Sequence, residues 1–382
     1  MKKKLLALLL ALGMVASLAA CSNGETTTST APSTAPSTES TAPEGGDTEA
    51  GDLSSLDIGV FYYQYSDAYI TSVRTQMDSL LDSLGVKYTD YDGQNNQSVQ
   101  TDSINTAIVN GCNFLIVNIV ETSSPEAAQA AVDAAKNAGI PILFFNREVS
   151  DDVVNSYEKC AFVGTDAAEA GHLQGQMIAE YLIENFDAVD LNGDGEISYV
   201  MFKGQEGNAE AEMRTQYSVE DANTLLAEAG KGQLVFYNPS NTSGYLVDQT
   251  GAWSAQAATD YMNTILGEYS EANGNMVEMV IANNDGMAEG AISALQTAGY
   301  NTEGGKVIPV FGVDAMDSAK EKINAGIMTG TIAQDAAGMA NSLVTLMQNF
   351  ANDGDLMSNT GDMIVDEGVA KVRVPYAIYT GE

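Results

Sequence analysis

The run Asp190-Leu191-Asn192-Gly193-Asp194-Gly195-Glu196-Ile197-Ser198 carries hard oxygen donors at alternating positions, the spacing with which a short loop wraps a calcium ion. Asp190, Asn192 and Asp194 would offer side-chain oxygens, Glu196 its backbone carbonyl, and Ser198 its hydroxyl, directly or through water. Gly195 permits the tight turn, and Ile197 would anchor the loop to a core. The helix–loop–helix calcium site closes with a bidentate Glu at position twelve, where this chain has Met201. The closing carboxylate must therefore come from elsewhere in the fold. A plain Asp/Gly-rich turn is the alternative in so acidic a chain, and the regular spacing favours metal.

The elements that would position this loop alternate short apolar runs with helical segments. Ile58–Phe61, a helix from about 68 to 84, Phe114–Val117, a helix around 127–138 and Pro141–Phe145 make one series. Ser198–Phe202, Leu234–Tyr237, Met276–Ile281 and Val307–Gly312, each followed by a helical composition, make a second. Continuous apolar strands alternating with helices predict parallel sheets covered on both faces. Two such series predict two doubly wound α/β lobes, whose ligands bind beyond the carboxyl ends of the strands.

Polar and aromatic residues gather at those ends. Asp67 and Tyr69 follow the first strand, Asn146 and Arg147 follow Phe145, and Asn208, Glu210 and Arg214 follow Phe202. Asn283, Asn284 and Asp285 follow Ile281, and Asp314 follows Val313. Any one of these is an ordinary helix cap. Five strands ending this way, with two arginines among them in an acidic chain, point to a polar ligand cleft.

The formal net charge of −36 argues against nucleic acid, whose phosphates need Lys and Arg. Lys2, Lys3 and Lys4, an apolar stretch and Leu18-Ala19-Ala20-Cys21 read as a secretory signal over residues 1–20, with Cys21 as a lipid-modified first residue that anchors the protein outside the cytoplasm. Residues 21–53, rich in Ser, Thr, Pro and acidic groups, read as a disordered tether with a reach on the order of 30 Å. Cys112 and Cys160 could bridge in an oxidising compartment; buried free thiols are expected, because a domain of this size needs no staple.

These residues resemble the periplasmic galactose/glucose-binding proteins of sugar ABC transporters, in the ribose- and arabinose-binding superfamily. The resemblance runs from about Ile58 to Tyr376 and rests on Phe144-Phe145-Asn146-Arg147-Glu148, Val163-Gly164-Thr165-Asp166, the Asp190 loop, the segment from Val280 to Asp285, the segment from Pro309 to Ala315, and Val372-Arg373-Val374-Pro375-Tyr376. It implies two Rossmann-like lobes joined by three crossings, near Thr165, Ala333 and Val374. The first lobe would hold residues 54–165 and 334–374, the second 166–333 and 375–382. It also implies a sugar between the lobes, sandwiched by Tyr69 and Trp253, the chain's only tryptophan. The implied rim is Asp67, Asn146, Arg147, Asn208, Glu210, Arg214, Asn284, Asp314 and Gln334, with Asp314 and Arg214 expected to work as a pair on one hydroxyl. Glu278 matches the family's bidentate calcium ligand and supplies the missing twelfth position.

Three positions depart from the family pattern: Asn208 stands for His, Glu210 for Asp and Gln334 for Asn. The segment between Arg214 and Trp253 is longer, and Glu196 and Ser198 stand where the family uses Gln. Sugar binding is still implied, while the choice of sugar is open. The expected partners are a monosaccharide and an ABC permease with its ATPase, with the protein acting as a monomer. A sensor that docks on a chemoreceptor or kinase ectodomain is the alternative. A glycoside hydrolase could use Asp67 and Asp314 as its two carboxylates, but no activated nucleophile or phosphate loop is present, and the single His172 is expected to be a partly buried packing residue. A DNA-binding repressor of this fold would need a basic reading module. The reading is of a binding protein, not an enzyme.

Overall fold

The computed structural model describes residues 53–381. The first series is β1 (Asp57–Tyr62), α1 (Ala68–Leu84), β2 (Lys87–Asp92), α2 (Gln97–Val109), β3 (Phe114–Val117), α3 (Glu126–Ala138), β4 (Ile142–Phe145), α4 (Asp151–Asn155) and β5 (Cys160–Gly164). The second is α5 (Ala167–Val189), β6 (Ile197–Lys203), α6 (Ala209–Glu228), β7 (Leu234–Phe236), β8 (Leu246–Val247), α7 (Ala255–Glu268), β9 (Met279–Ala282), α8 (Asp285–Thr297), β10 (Val310–Asp314), α9 (Asp317–Asn324) and β11 (Gly330–Gln334). Then come α10 (Ala336–Asp353), β12 (Ile364–Val365), β13 (Lys371–Arg373) and β14 (Tyr376–Tyr379).

The strands form two sheets, ordered β12-β13-β5-β4-β3-β1-β2 and β14-β11-β10-β9-β6-β7, with β8 paired to β6. All pairings are parallel except β12 with β13 and β14 with β11. Both sheets share one internal order: the lobe's first strand lies between its second and third series members, β2-β1-β3 in one and β7-β6-β9 in the other. That is the doubly wound switch point, where a crevice opens at the carboxyl ends. Strands β3, β4 and β5 are buried along their whole length, as sheets covered on both faces require.

Apolar clusters fill both faces of each sheet. On the first, Val73, Met77 and Leu81 of α1 pack with Met339, Leu343 and Met347 of α10, so α10 covers the first sheet although it follows β11 of the second. The chain thus passes between the sheets three times: from β5 to α5, from β11 to α10, and from β13 to β14. Arg373 ties two crossings together. It donates to the Thr165 carbonyl at 2.8 Å and pairs with Glu148 and Asp366, each at 2.7 Å. Cys112 and Cys160 are both free and buried.

Candidate functional site

The carboxyl ends of both sheets face one cavity. All eleven expected ligand residues line it: Asp67, Tyr69, Asn146, Arg147, Asn208, Glu210, Arg214, Trp253, Asn284, Asp314 and Gln334. Tyr63 and Ile70 line it as well. The lobes touch around this cavity. Gln64 donates to the Ala252 carbonyl at 3.1 Å, Asn95 to the Thr250 carbonyl at 2.9 Å, and Arg147 to Gln205.

Capping and lining prove to be one arrangement rather than alternatives. Asp67 caps α1 by accepting from the Ile70 N–H at 2.8 Å, Asn208 caps α6 through the Ala211 N–H at 3.0 Å, and Asn284 caps α8 through the Met287 N–H at 2.9 Å. Their second polar atoms are held as well, Asp67 Oδ2 by the Tyr63 hydroxyl at 2.6 Å and the Asn208 and Asn284 amide groups by the Thr122 hydroxyl and the Trp253 carbonyl, each at 3.4 Å, and each residue brings a helix N-terminus toward the cavity. Three lining residues hold a left-handed backbone: Asn146 at φ 61°, Trp253 at 56° and Asp314 at 120°. Such conformations cost energy outside glycine and gather at functional sites.

The cavity's polar atoms are only partly matched by protein. Among the described residues, both carboxylate oxygens of Glu210, Nη1 of Arg147, Nε of Arg214 and Nε2 of Gln334 are buried without a hydrogen-bond partner. Buried polar groups are nearly always paired in folded proteins, so this set reads as acceptors and donors directed at a ligand. Burial raises the carboxyl groups of Glu210 and Asp314 above the ordinary carboxylate range. Burial also works against the charge of Arg214, but Tyr376, Asp314 and Glu210 outweigh it and hold the guanidinium above its usual value. Asp314 and Arg214, expected to act together on one hydroxyl, make no ion pair with each other: Arg214 donates to the Asn283 carbonyl at 2.8 Å, to Gln334 Oε1 at 3.3 Å and to the Tyr376 hydroxyl at 2.8 Å.

Several residues escaped sequence reasoning. Tyr63 donates to Asp67 Oδ2 at 2.6 Å and lies under Arg147, whose guanidinium carbon is 4.1 Å from the ring centroid. Asn118, just past β3, accepts from the Tyr63 N–H at 3.2 Å and donates to Asn146 at 3.2 Å. Both sit at strand carboxyl ends, the rule that found the others. Tyr376 was visible only as part of a motif. His172 departs from the packing expectation: it stacks on Tyr217 and contacts Asp221 at 2.5 Å on the half-exposed faces of α5 and α6.

The Asp190 loop joins the end of α5 to β6, at the amino end of the second sheet and away from the cavity. Ile197 is buried in the core. Glu278, immediately before β9 rather than inside it, reaches into the loop: its carboxylate accepts from the N–H groups of Leu191 at 2.7 Å and Ser198 at 2.8 Å. Asp190 accepts from Gly193 and Gly195, Asn192 from Asp194, and Asp194 from Glu196. The Ser198 hydroxyl donates to the Met276 carbonyl. An all-oxygen donor set closed by a carboxylate fits a hard divalent cation. Among the described residues, no three acidic, His or Cys side chains are gathered at metal-binding separation, so a cation would have to draw these oxygens inward.

Two doubly wound lobes with a polar cavity at their facing switch points define a type I binding protein. Residues 58–355 match the periplasmic binding protein domain, and the chain belongs to that family. Over 332 residues it is 34% identical to the D-galactose/methyl-galactoside binding periplasmic protein MglB of Haemophilus influenzae, covering 87% of this chain and 91% of that protein. A putative rhizopine-binding protein of Rhizobium meliloti is 28% identical over 85% of this chain and 89% of its own length. Among solved structures, an ABC transporter solute-binding protein from Bacillus halodurans with bound myo-inositol is 25% identical, with a TM-score of 0.63, covering 86% of this chain and 96% of that one. One from Clostridium phytofermentans with bound β-D-glucose shares the fold at a TM-score of 0.65 and 19% identity, over 85% and 94% of the two chains. Members of the family bind their substrates rather than transform them.

Proposed function

We propose that the protein captures a glucose- or galactose-type hexose by lobe closure and delivers it to an ABC permease and its ATPase. The observation that carries this reading is the set of unpartnered buried donors and acceptors on Arg147, Glu210, Arg214 and Gln334, placed in one cavity with Tyr69 and Trp253. A pyranose matches both: its C–H faces suit aromatic rings, while its hydroxyls both give and accept hydrogen bonds. Closure follows from differential contact, since a ligand between the lobes gains its full set of bonds only when they meet. The relationship to the galactose-binding relative supports the choice of a hexose.

The same reading includes one structural Ca²⁺ held by Asp190, Asn192, Asp194, Glu196, Ser198 and Glu278, which would stiffen the loop before β6. It also includes a lipid anchor on Cys21, which lies outside the described residues together with the signal and the tether as far as residue 52; Leu53, the last residue assigned to the tether, is buried in a short helical turn. A monomeric state is part of the same reading. Among the described residues no helix is long and apolar enough to cross a membrane. Docking on a sensor ectodomain is compatible with the same closed form.

A thermal-shift panel of monosaccharides, with myo-inositol as a cyclic polyol control, tests the ligand class. Glucose or galactose should give the largest rise in melting temperature. A response confined to pentoses, furanoses or inositol would refute the hexose assignment.

A further inference from the structure

Trp253 holds its left-handed backbone, φ 56°, in a seven-residue loop between β8 and α7. A bulky residue stays in that region only where its surroundings over-determine it. Asp248 does so. It is 3% exposed; Oδ1 accepts from the Thr250 N–H at 2.8 Å and the Thr250 hydroxyl at 2.7 Å, and Oδ2 accepts from the Ser254 N–H at 2.9 Å. One carboxylate therefore grips the loop on both sides of Trp253. The grip is fixed to the sheet, because the Asp248 N–H donates to the Lys203 carbonyl at the end of β6 at 2.9 Å.

The indole has a matching seat. A Cβ at Gly204 would lie 2.1 Å from Trp253 Cδ2, so the ring rests directly on the backbone just past β6. The carbonyls of Thr250 and Ala252, in the bracketed loop, are the ones that Asn95 and Gln64 of the other lobe contact. Asp248 does not line the cavity.

We infer that Asp248 is a positioning residue that sets the orientation of Trp253 and of the two carbonyls the opposite lobe grips. Its consequence for binding rests on the reading of Trp253 as a ligand-facing ring; the bracket itself needs no ligand. A neutral acceptor would do the work less well, since carboxylate hydrogen bonds are the stronger ones.

Because Trp253 is the only tryptophan, its emission and acrylamide quenching in the ligand-free protein report on this residue alone. Asp248→Ala should red-shift the emission and raise the quenching constant about twofold or more, as loss of three hydrogen bonds loosens the loop. Asp248→Asn, which keeps one carbonyl acceptor, should fall between and carries the test if the alanine variant does not fold. Unchanged emission and quenching in the folded variants overturns the proposal. An emission change matched by an equal loss of near-ultraviolet tyrosine signal also overturns it, since that would assign Asp248 to general stability. A parallel hexose titration keeps the two readings apart: wild-type protein that binds no hexose counts against the sugar assignment and leaves the fluorescence result standing.

Discussion

Arg214 and Asp314 face one cavity without an ion pair between them; the two terminal nitrogens of the guanidinium donate to the Asn283 carbonyl, Gln334 and Tyr376. Asp314 is left as a buried carboxyl, pushed well above its ordinary range by burial and only partly relieved by Arg214. In an acid whose folded pKa is raised, the folded state binds more protons than the unfolded one, and stability falls as pH rises toward the folded value. At neutral pH Asp314 is therefore a source of instability.

Asp314→Asn should accordingly raise the melting temperature of the ligand-free protein at pH 7 while weakening hexose binding by about tenfold or more, the worth of a hydrogen bond to a charged group. Differential scanning calorimetry beside titration calorimetry checks both signs. A variant that is less stable at pH 7 and binds normally would show that the carboxylate is structural.

The same linkage acts at Asp90, away from the cavity. Burial and its neighbour Asp78 raise its pKa from 3.8 to about 7, so the stability it costs appears as pH rises between those values. Asp90→Asn should leave the melting temperature unchanged near pH 4. At pH 8 it should raise stability by about 1 kcal/mol, a figure kept small because the pair is partly exposed, or roughly 2–4 °C. A pH-independent difference between the variant and wild type would remove Asp90 from the account.

Much of this was legible before the fold was known. The apolar runs of β1, β3, β4, β6 and β10 gave the sheets because parallel strands buried on both faces cannot be polar. Strand β2 was not legible: Lys87-Tyr88-Thr89-Asp90-Tyr91-Asp92 lies at a sheet edge with its burial only partial, and an edge strand carries little apolar signal. All eleven expected residues line the cavity, and the end-of-strand rule and the family resemblance point to the same positions. Tyr63 and Asn118 stand at strand ends too, but they hold other lining side chains, Asp67, Arg147 and Asn146, in place. Asp248 was missed because its carboxylate holds backbone N–H groups, and side-chain-to-backbone bonds leave no pattern in spacing.

The contact between the lobes gives a prediction about closure. Gln64 and Asn95 donate to carbonyls of the Trp253 loop, and each such bond contributes about 0.5–1.5 kcal/mol net. Gln64→Ala combined with Asn95→Ala should shift the ligand-free population toward the open form and speed ligand release, measured by inter-lobe energy transfer and stopped flow. An unchanged release rate would mean that closure rests on the ligand alone.

For the loop before β6, chelation should lower the melting temperature and leave hexose affinity nearly intact, since the loop and the cavity lie at opposite ends of the second sheet. A cation bound only to the folded state adds roughly 2.7 kcal/mol at a hundredfold excess over its dissociation constant. Glu278→Gln should abolish the chelator effect. A melting temperature indifferent to both calcium and chelator would reduce the loop to an acidic turn held by its own amides.

The most direct test of the central claim is titration calorimetry of glucose and galactose into wild-type protein and into Trp253→Ala. The account predicts saturable binding at one site per chain, weakened in the variant by about 2 kcal/mol or more, as loss of a buried aromatic anchor does. No binding of either hexose by the wild type, or equal affinity in the variant, would contradict it.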